Sequence, residues 1–324
     1  MTDAIVIEAY GAPEVMQLRR IDVPSPGPGQ VRLRHTRIGV NFHDVYVRNG
    51  MYRTLDLPGT PGIEAAGVVV ECGEGVTTWR PGDRAAYVSG AYGVYASERL
   101  IDAALLLRLP DGVSDDAAAS VLLRGLTADM LLRRVHRVSA GDWVLVQAAA
   151  GGVGQLLCRW AQHLGAKVIG TVAHAGQAEA AARAGCTLVL DSRRDDVAQR
   201  VREATGGAGV AVAYDGVGRD TFEGSLQSLG FCGHLVNFGQ ASGAVAPFEV
   251  AQLATRSLSL TRPIIFHHLR EAAVREAMAG RVFAALGSGV LGVGTPRLFA
   301  LAEAAQAHRA LEAEGATTPL LLVP

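Results

Sequence analysis

Residues 143–165, WVLVQAAAGGVGQLLCRWAQHLG, constrain the fold more than any other stretch of this chain. Residues 143–147 are a short, valine-rich apolar run, the pattern of a strand buried on both faces. Three alanines and then Gly151-Gly152-Val153-Gly154 lead into Leu156, Leu157, Trp160 and Leu164 at helical spacing, and Gly165 closes the segment. The order is strand, glycine turn, helix. Glycine at positions 151 and 152 lets the backbone meet a phosphate without an intervening β-carbon. Gly154 lets the helix pack closely on the strand, and the free N–H groups of the first helical turn face the anion. Ala149 stands where the G-x-G-x-x-G pattern has its first glycine, so the match is imperfect. A further strand is expected at 167–172. Together these features point to dinucleotide binding over Ala149, Gly151, Gly152, Val153 and Gly154. The alternative is a glycine-rich turn in some other α/β sheet.

The same alternation runs on downstream. Strands are expected at 187–190, 210–214 and 234–238, with helices at 177–184 and 197–204 between them, and 258–261 adds an edge strand. Apolar strands alternating with helices predict a doubly wound parallel sheet. Upstream, residues 4–108 read as β-structure in short alternating runs, broken by proline- and glycine-rich turns at 24–29 and 80–83. A short helix at 42–49, closed by Gly50, carries Tyr46, and Tyr52 follows it. Ser114, followed by Asp115 and Asp116, starts another helix, and a further one is expected at 126–135. Beyond Pro263 the pattern predicts helices near 269–286 and 302–314 and a last strand at 320–323. The fold class is therefore α/β, with a β-rich domain over 1–124 and 264–324 and a dinucleotide-binding domain over 125–263.

A formal net charge of −1 offers no basic face to nucleic acid or an anionic membrane. Lys167 is the only lysine, which leaves Schiff-base chemistry one badly placed candidate. Cys72, Cys158, Cys186 and Cys232 are far apart in sequence and read as buried free thiols in a reducing compartment. No signal-peptide pattern opens the chain and no apolar run approaches membrane-spanning length, so a cytoplasmic protein is expected. His43-Asp44 and His267-His268 are adjacent pairs that point apart from regular structure, and neither reads as a metal site.

The segments GVNFHDVYVRNGMY, GIEAAGVV, PGDR, AAAGGVG and YDGVGRDTFEGSL occur here in that order. Together they resemble the medium-chain dehydrogenase/reductase superfamily, and within it the zinc-free NADPH:quinone oxidoreductases. The resemblance spans essentially the whole chain. It implies a GroES-like β-domain, a Rossmann domain and a homodimer paired through Rossmann edge strands. It also implies a substrate pocket lined by Asn41, Tyr46, Tyr52 and Arg262, with Thr127 and the Phe238-Gly239-Gln240 turn holding the cofactor. Zinc-dependent relatives in that superfamily carry ligands where this chain has Asn41, Ile63 and Arg124. The lobe of a structural zinc is missing, so no metal is expected.

The strand expected at 167–172 runs into Ala173 and His174 with no acid to bind a ribose 2′-hydroxyl, which allows NADP(H) and leaves NAD(H) open. Gln177, Ser192 and Glu314 stand where the resemblance has lysine, tyrosine and arginine. His174, Arg193 and Arg194 remain as candidates for a 2′-phosphate. Three activities are open: hydride transfer from NADPH to a quinone or similar conjugated carbonyl, reduction of an enone or alkenal double bond, and cofactor binding with a non-catalytic role. No Ser-His-Asp or paired-carboxylate pattern supports hydrolysis.

Overall fold

A computed structural model describes every residue except Val293, Gly315 and Ala316, together with the side chain of Glu314. The expectation for Glu314 therefore falls outside the described side chains. The chain divides into two units, one of Met1–Leu123, Leu269–Gly287 and Val293–Pro324, the other of Arg124–His268 and Ser288–Gly292.

In the first unit β1 (Thr2–Val6) pairs antiparallel with β2 (Gln17–Ile21). The larger sheet is built on β3 (Gln30–Gly39), which pairs antiparallel with β4 (Glu64–Cys72). β5 (Arg84–Val88) continues the sheet from β4, β6 (Glu98–Asp102) lies on β3, and β7 (Leu107–Arg108) lies on β5. Val31, Leu33, Ile38, Val69, Tyr87 and Tyr95 are buried in its core. Helix α1 (Phe42–Arg48) starts because Asn41 is an extended N-cap whose N–H donates to Asp44 Oδ2 at 2.9 Å. Gly50, at φ 82°, turns the chain out of it. Helix α2 (Asp115–Asp129) runs straight into a π-helical turn, Met130–Val135. The sequence reads two helices there. Gly125 lowers helix propensity but does not break the helix, since buried Leu122, Leu126 and Met130 keep one face on the core.

The second unit is a six-stranded parallel sheet. Its strands are β8 (Trp143–Val146), β9 (Lys167–Val172), β10 (Leu188–Asp191), β11 (Val210–Asp215), β12 (Leu229–Asn237) and β13 (Ser259–Thr261), in the order β10-β9-β8-β11-β12-β13. Helix α3 (Gly152–His163) follows β8, and α4 (Ala178–Arg183), α5 (Val197–Ala204) and α6 (Phe222–Gln227) follow β9, β10 and β11. Leu156, Leu157, Trp160 and Ala161 of α3 are buried. Each leucine contributes roughly 1.5–3 kcal/mol by leaving water. The strand order reverses between β8 and β11, the place where open α/β sheets bind ligands. β12 starts five residues before the expected position. Gly230 and Gly233 and the left-handed Cys232 (φ 58°) interrupt its alternation, and its pairing with β11 shifts register.

The chain then adds α7 (Ile265–His268), α8 (Ala272–Gly287) and α9 (Ala304–Glu314). β14 (Arg297–Ala300), which the sequence pattern misses, pairs parallel with β15 (Leu320–Val323). β15 joins β3 antiparallel in the first unit's sheet. All four cysteines are free, and the fold brings the sulfurs of Cys158 on α3 and Cys186, two residues before β10, to 3.6 Å. Cys232, read as a buried thiol, is exposed in the β12 irregularity.

Candidate functional site

In the second unit the strand ends are tied together by a directed chain of buried hydrogen bonds. Ala148 N–H donates to Thr171 Oγ1, Thr171 to Gln147 Oε1, Gln147 Nε2 to Ser225 Oγ, and Ser225 to Asp215 Oδ2. Asp215 also accepts from Val217 N, Gly218 N and Thr221 Oγ1 at 2.8–2.9 Å. Five donor contacts on one buried carboxylate fix the turn after β11, which accounts for the YDGVGRDT segment.

The glycine turn leaves β8 through Ala148, whose φ of 52° makes it, and not Ala149, the left-handed residue. Ala149 is buried, donates its N–H to Thr171 O, and lies where a β-carbon on Gly170 would strike it. A β-carbon on Gly154 would fall inside contact distance of the Ala148 carbonyl and 2.9 Å from Ala149 Cα, so only glycine seats α3 here. Gly151 is the N-cap, and Gly152 and Val153 open the helix half-buried. Directly over Gly152 lies Arg124: a β-carbon there would stand 2.9–3.0 Å from the guanidinium. Arg124 is buried. Sequence reasoning reads Arg124 only as a residue that cannot hold zinc. The structure puts its cation at the N-terminus of α3, where the helix dipole already favours an anion.

Phe238, Gly239 and Gln240 leave β12 against the β11 turn. Phe238 N–H donates to Asp215 O at 2.8 Å, and a β-carbon on Gly216 would touch the Phe238 ring. Arg262 Nη1 donates to Asn237 O at 3.0 Å, so this side chain lies at the end of the same strand. Thr127 is half-buried on α2. Around the end of β9, Gln177 Oε1 accepts from Ala173 N, His174 caps the short turn that follows, and Ser192 Oγ donates to Val172 O. Arg193 N–H donates to Asp191 Oδ1. The Arg194 side chain, 82% exposed, lies 3.8 Å from Asp191 Oδ2. The second arginine therefore has an acidic neighbour that the sequence reading overlooks.

In the first unit Asn41 is buried and donates Nδ2–H to Glu64 Oε2 at 2.8 Å. Leu123 N–H donates to Glu64 Oε1 at 2.6 Å. Ile63 is fully buried. Among the described residues no three His, Cys, Asp or Glu side chains converge as a metal site. Helix α1 is held from below by Arg48, which donates both Nη groups to Glu312 and Nη1 also to His308 Nδ1. Arginine only donates, so His308 carries its proton on Nε2 and gives it to Tyr95 Oη, whose hydroxyl donates to Asp44. Burial, with the Arg48 cation adding to it, pushes His308 down to about 3.

Above this base lies an aromatic cluster. The rings of Tyr46 and Tyr52 meet edge-on at 5.1 Å, Phe42 lies 6.2 Å from Tyr46, and His43 lies 5.6 Å from Tyr52. Tyr92 stacks on His43 at 6.0 Å. Burial lowers the His43 imidazole to about 4 and raises the Tyr92 phenol above the usual tyrosine range, so both are neutral at pH 7. Flat rings with polar tips suit a planar conjugated molecule.

Residues 152–279 match the zinc-binding dehydrogenase family, and residues 27–111 the alcohol dehydrogenase GroES-like domain. The chain is 40% identical to a quinone oxidoreductase of Pseudomonas aeruginosa, over 100% of both sequences. It is 40% identical to a 2-haloacrylate reductase of a Burkholderia species, over 100% of this chain and 99% of that protein. The fold matches an Escherichia coli quinone oxidoreductase solved in complex with NADPH at a TM-score of 0.96 and 38% identity, covering 99% of this chain and 100% of that one.

Proposed function

This chain belongs to the quinone oxidoreductase family, and from that premise we infer that it transfers hydride from NADPH to a quinone or a similar conjugated carbonyl acceptor. The observation that carries the reading is the buried Arg124 guanidinium over Gly152, at the N-terminus of α3 and at the switch point of a parallel sheet. The residues fit a dinucleotide: the turn has no room for side chains at Gly154 and supplies N–H groups and one cation to a pyrophosphate. With the cofactor held by this turn, its nicotinamide would supply the hydride, and the protein would supply placement and charge. His174, Arg193 and Arg194 are the groups available to a 2′-phosphate, with NADH as the competing cofactor. In this reading Asn41, Tyr46, Tyr52 and Arg262 are the acceptor-binding groups, and their polar tips would stabilise charge developing on its oxygen.

Zinc takes no part in this mechanism. Asn41 is committed to Glu64, Ile63 is apolar, and Arg124 repels a cation. The likeness to a 2-haloacrylate reductase, whose name denotes an activated C=C bond, favours conjugate reduction as a second reading. We further infer a cytoplasmic homodimer. Strand β13 is a sheet edge with Leu260 on its surface, and no helix among the described residues is long and apolar enough to cross a membrane. Steady-state oxidation of NADPH in the presence of a p-quinone tests the reading. Turnover with stoichiometric hydroquinone supports it, and cofactor binding without turnover of quinones or enones rejects it.

A further inference from the structure

The His43 imidazole is the polar member of the aromatic cluster that the proposed function leaves unused. Its Nε2 lies 3.1 Å from Tyr92 Oη, and Tyr92 Oη lies 2.6 Å from Thr54 Oγ1. Thr54 is exposed, Tyr92 and His43 are half-buried, and the His43 ring touches that of Tyr52. Three exchangeable groups thus step from the surface to the Tyr46–Tyr52 pair, joined across 38 and 49 residues of sequence by the fold.

We propose that Thr54, Tyr92 and His43 form a proton relay that feeds the acceptor pocket. The proposal rests on the quinone reductase reading above. Two-electron reduction of a quinone takes up one hydride and one proton, and a hydride donor brings both electrons but only one of the two hydrogens. The relay supplies the other. As charge builds on the acceptor oxygen, an O–H bond forms there and the Nδ1–H bond of His43 breaks. Nε2 takes the Tyr92 hydroxyl proton in the same movement. Tyr92 regains a proton from Thr54, and the exposed Thr54 hydroxyl exchanges with water. Every group ends in its starting composition, and the net proton comes from solvent. A neutral imidazole suits this task because it holds one N–H and one lone pair, accepting on one side as it releases on the other. Its burial keeps it neutral at pH 7, where it passes a proton without storing charge.

The test uses the full-length protein with NADPH and a p-quinone in single-turnover mode, in H2O and in D2O. Tyr92→Phe keeps the ring stack and removes only the hydroxyl. It is expected to slow reduction by about tenfold or more, a fraction of what general acid catalysis supplies, with acceptor KM and NADPH affinity within about twofold of wild type. Thr54→Val, a surface change that the fold tolerates, is expected to slow it less. His43→Ala is expected to recover rate on addition of imidazole, which a packing defect would not do. In the protein without cofactor, the ring-nitrogen NMR signals of His43 are expected to shift in Tyr92→Phe. Wild-type rates and an unchanged solvent isotope effect in Tyr92→Phe overturn the relay and leave the quinone reductase reading standing. Absence of quinone turnover in wild type overturns that reading and the relay with it.

Discussion

Replacing Gly152 by aspartate is expected to abolish useful NADPH binding while leaving the fold intact. Gly152 is the first residue of α3 after its N-cap. The atoms nearest an added β-carbon all belong to the Arg124 guanidinium, at 2.9–3.0 Å, the far end of a long side chain rather than backbone. An acid in the first turn also interacts favourably with the helix dipole, by about 0.3–1 kcal/mol, so thermal stability should hold or rise slightly. Binding has the opposite sign. The carboxylate takes the place of an approaching phosphate and pairs with Arg124, which removes the cation. Two like charges about 4 Å apart repel by about 4 kcal/mol at an effective dielectric of 20, close to a thousandfold in affinity. Gly152→Ala adds the β-carbon without the charge and should cost tenfold or less. Calorimetric Kd values for NADPH on both variants, beside their melting temperatures, decide the matter. Equal losses for alanine and aspartate, or an unchanged Kd for aspartate, would refute the electrostatic reasoning.

Dialysis against a chelator should leave activity unchanged; loss restored by zinc would reject the metal-free mechanism. Arg193→Ala with Arg194→Ala should weaken NADPH by roughly tenfold to a hundredfold, from about 1.5–3 kcal/mol of charge-assisted bonding, and leave NADH alone. Because Arg194 is exposed and near Asp191, the loss should shrink as salt is raised, and equal losses for both cofactors would mean that the pair supports the fold. Stability should fall with acid. His35, bonded to Ala96 O and Tyr87 Oη, and the buried His308 are held by burial at about 4 and about 3. The unfolded chain binds these protons near pH 6.5 and the folded one does not. Their contribution is complete above about pH 6.5 and declines as the pH drops, by about 2 kcal/mol per histidine at pH 5. Chemical denaturation at pH 7 and pH 5 measures it, and a flat profile contradicts it.

The parallel sheet was legible because its strands are apolar on both faces and its helices have a clear period. Lys167–Val172, Val197–Ala204 and Leu320–Val323 fall where the pattern puts them. Its failures have local causes. Gly230, Cys232 and Gly233 hide the first half of β12, Gly125 suggests a break inside one helix, and the four-residue β14 takes its identity from pairing with β15. At the site, the glycine turn announces itself through spacing. Arg124 announces a positive charge but not where that charge ends up, since 28 residues separate it from Gly152 and only the fold brings the two together. Tyr92 and Thr54 carry no motif, and their place beside His43 comes from loop packing that periodicity does not record.

The most direct test of the central claim compares kcat/KM for NADPH and NADH with a p-quinone, an enone and an aldehyde as acceptors, in metal-free buffer. Turnover of the quinone is expected, faster with NADPH than with NADH, with little turnover of the aldehyde, whose reduction in zinc-dependent chemistry needs a metal to polarise the carbonyl. Turnover of the aldehyde alone, or of no acceptor despite tight NADPH binding, would contradict the claim.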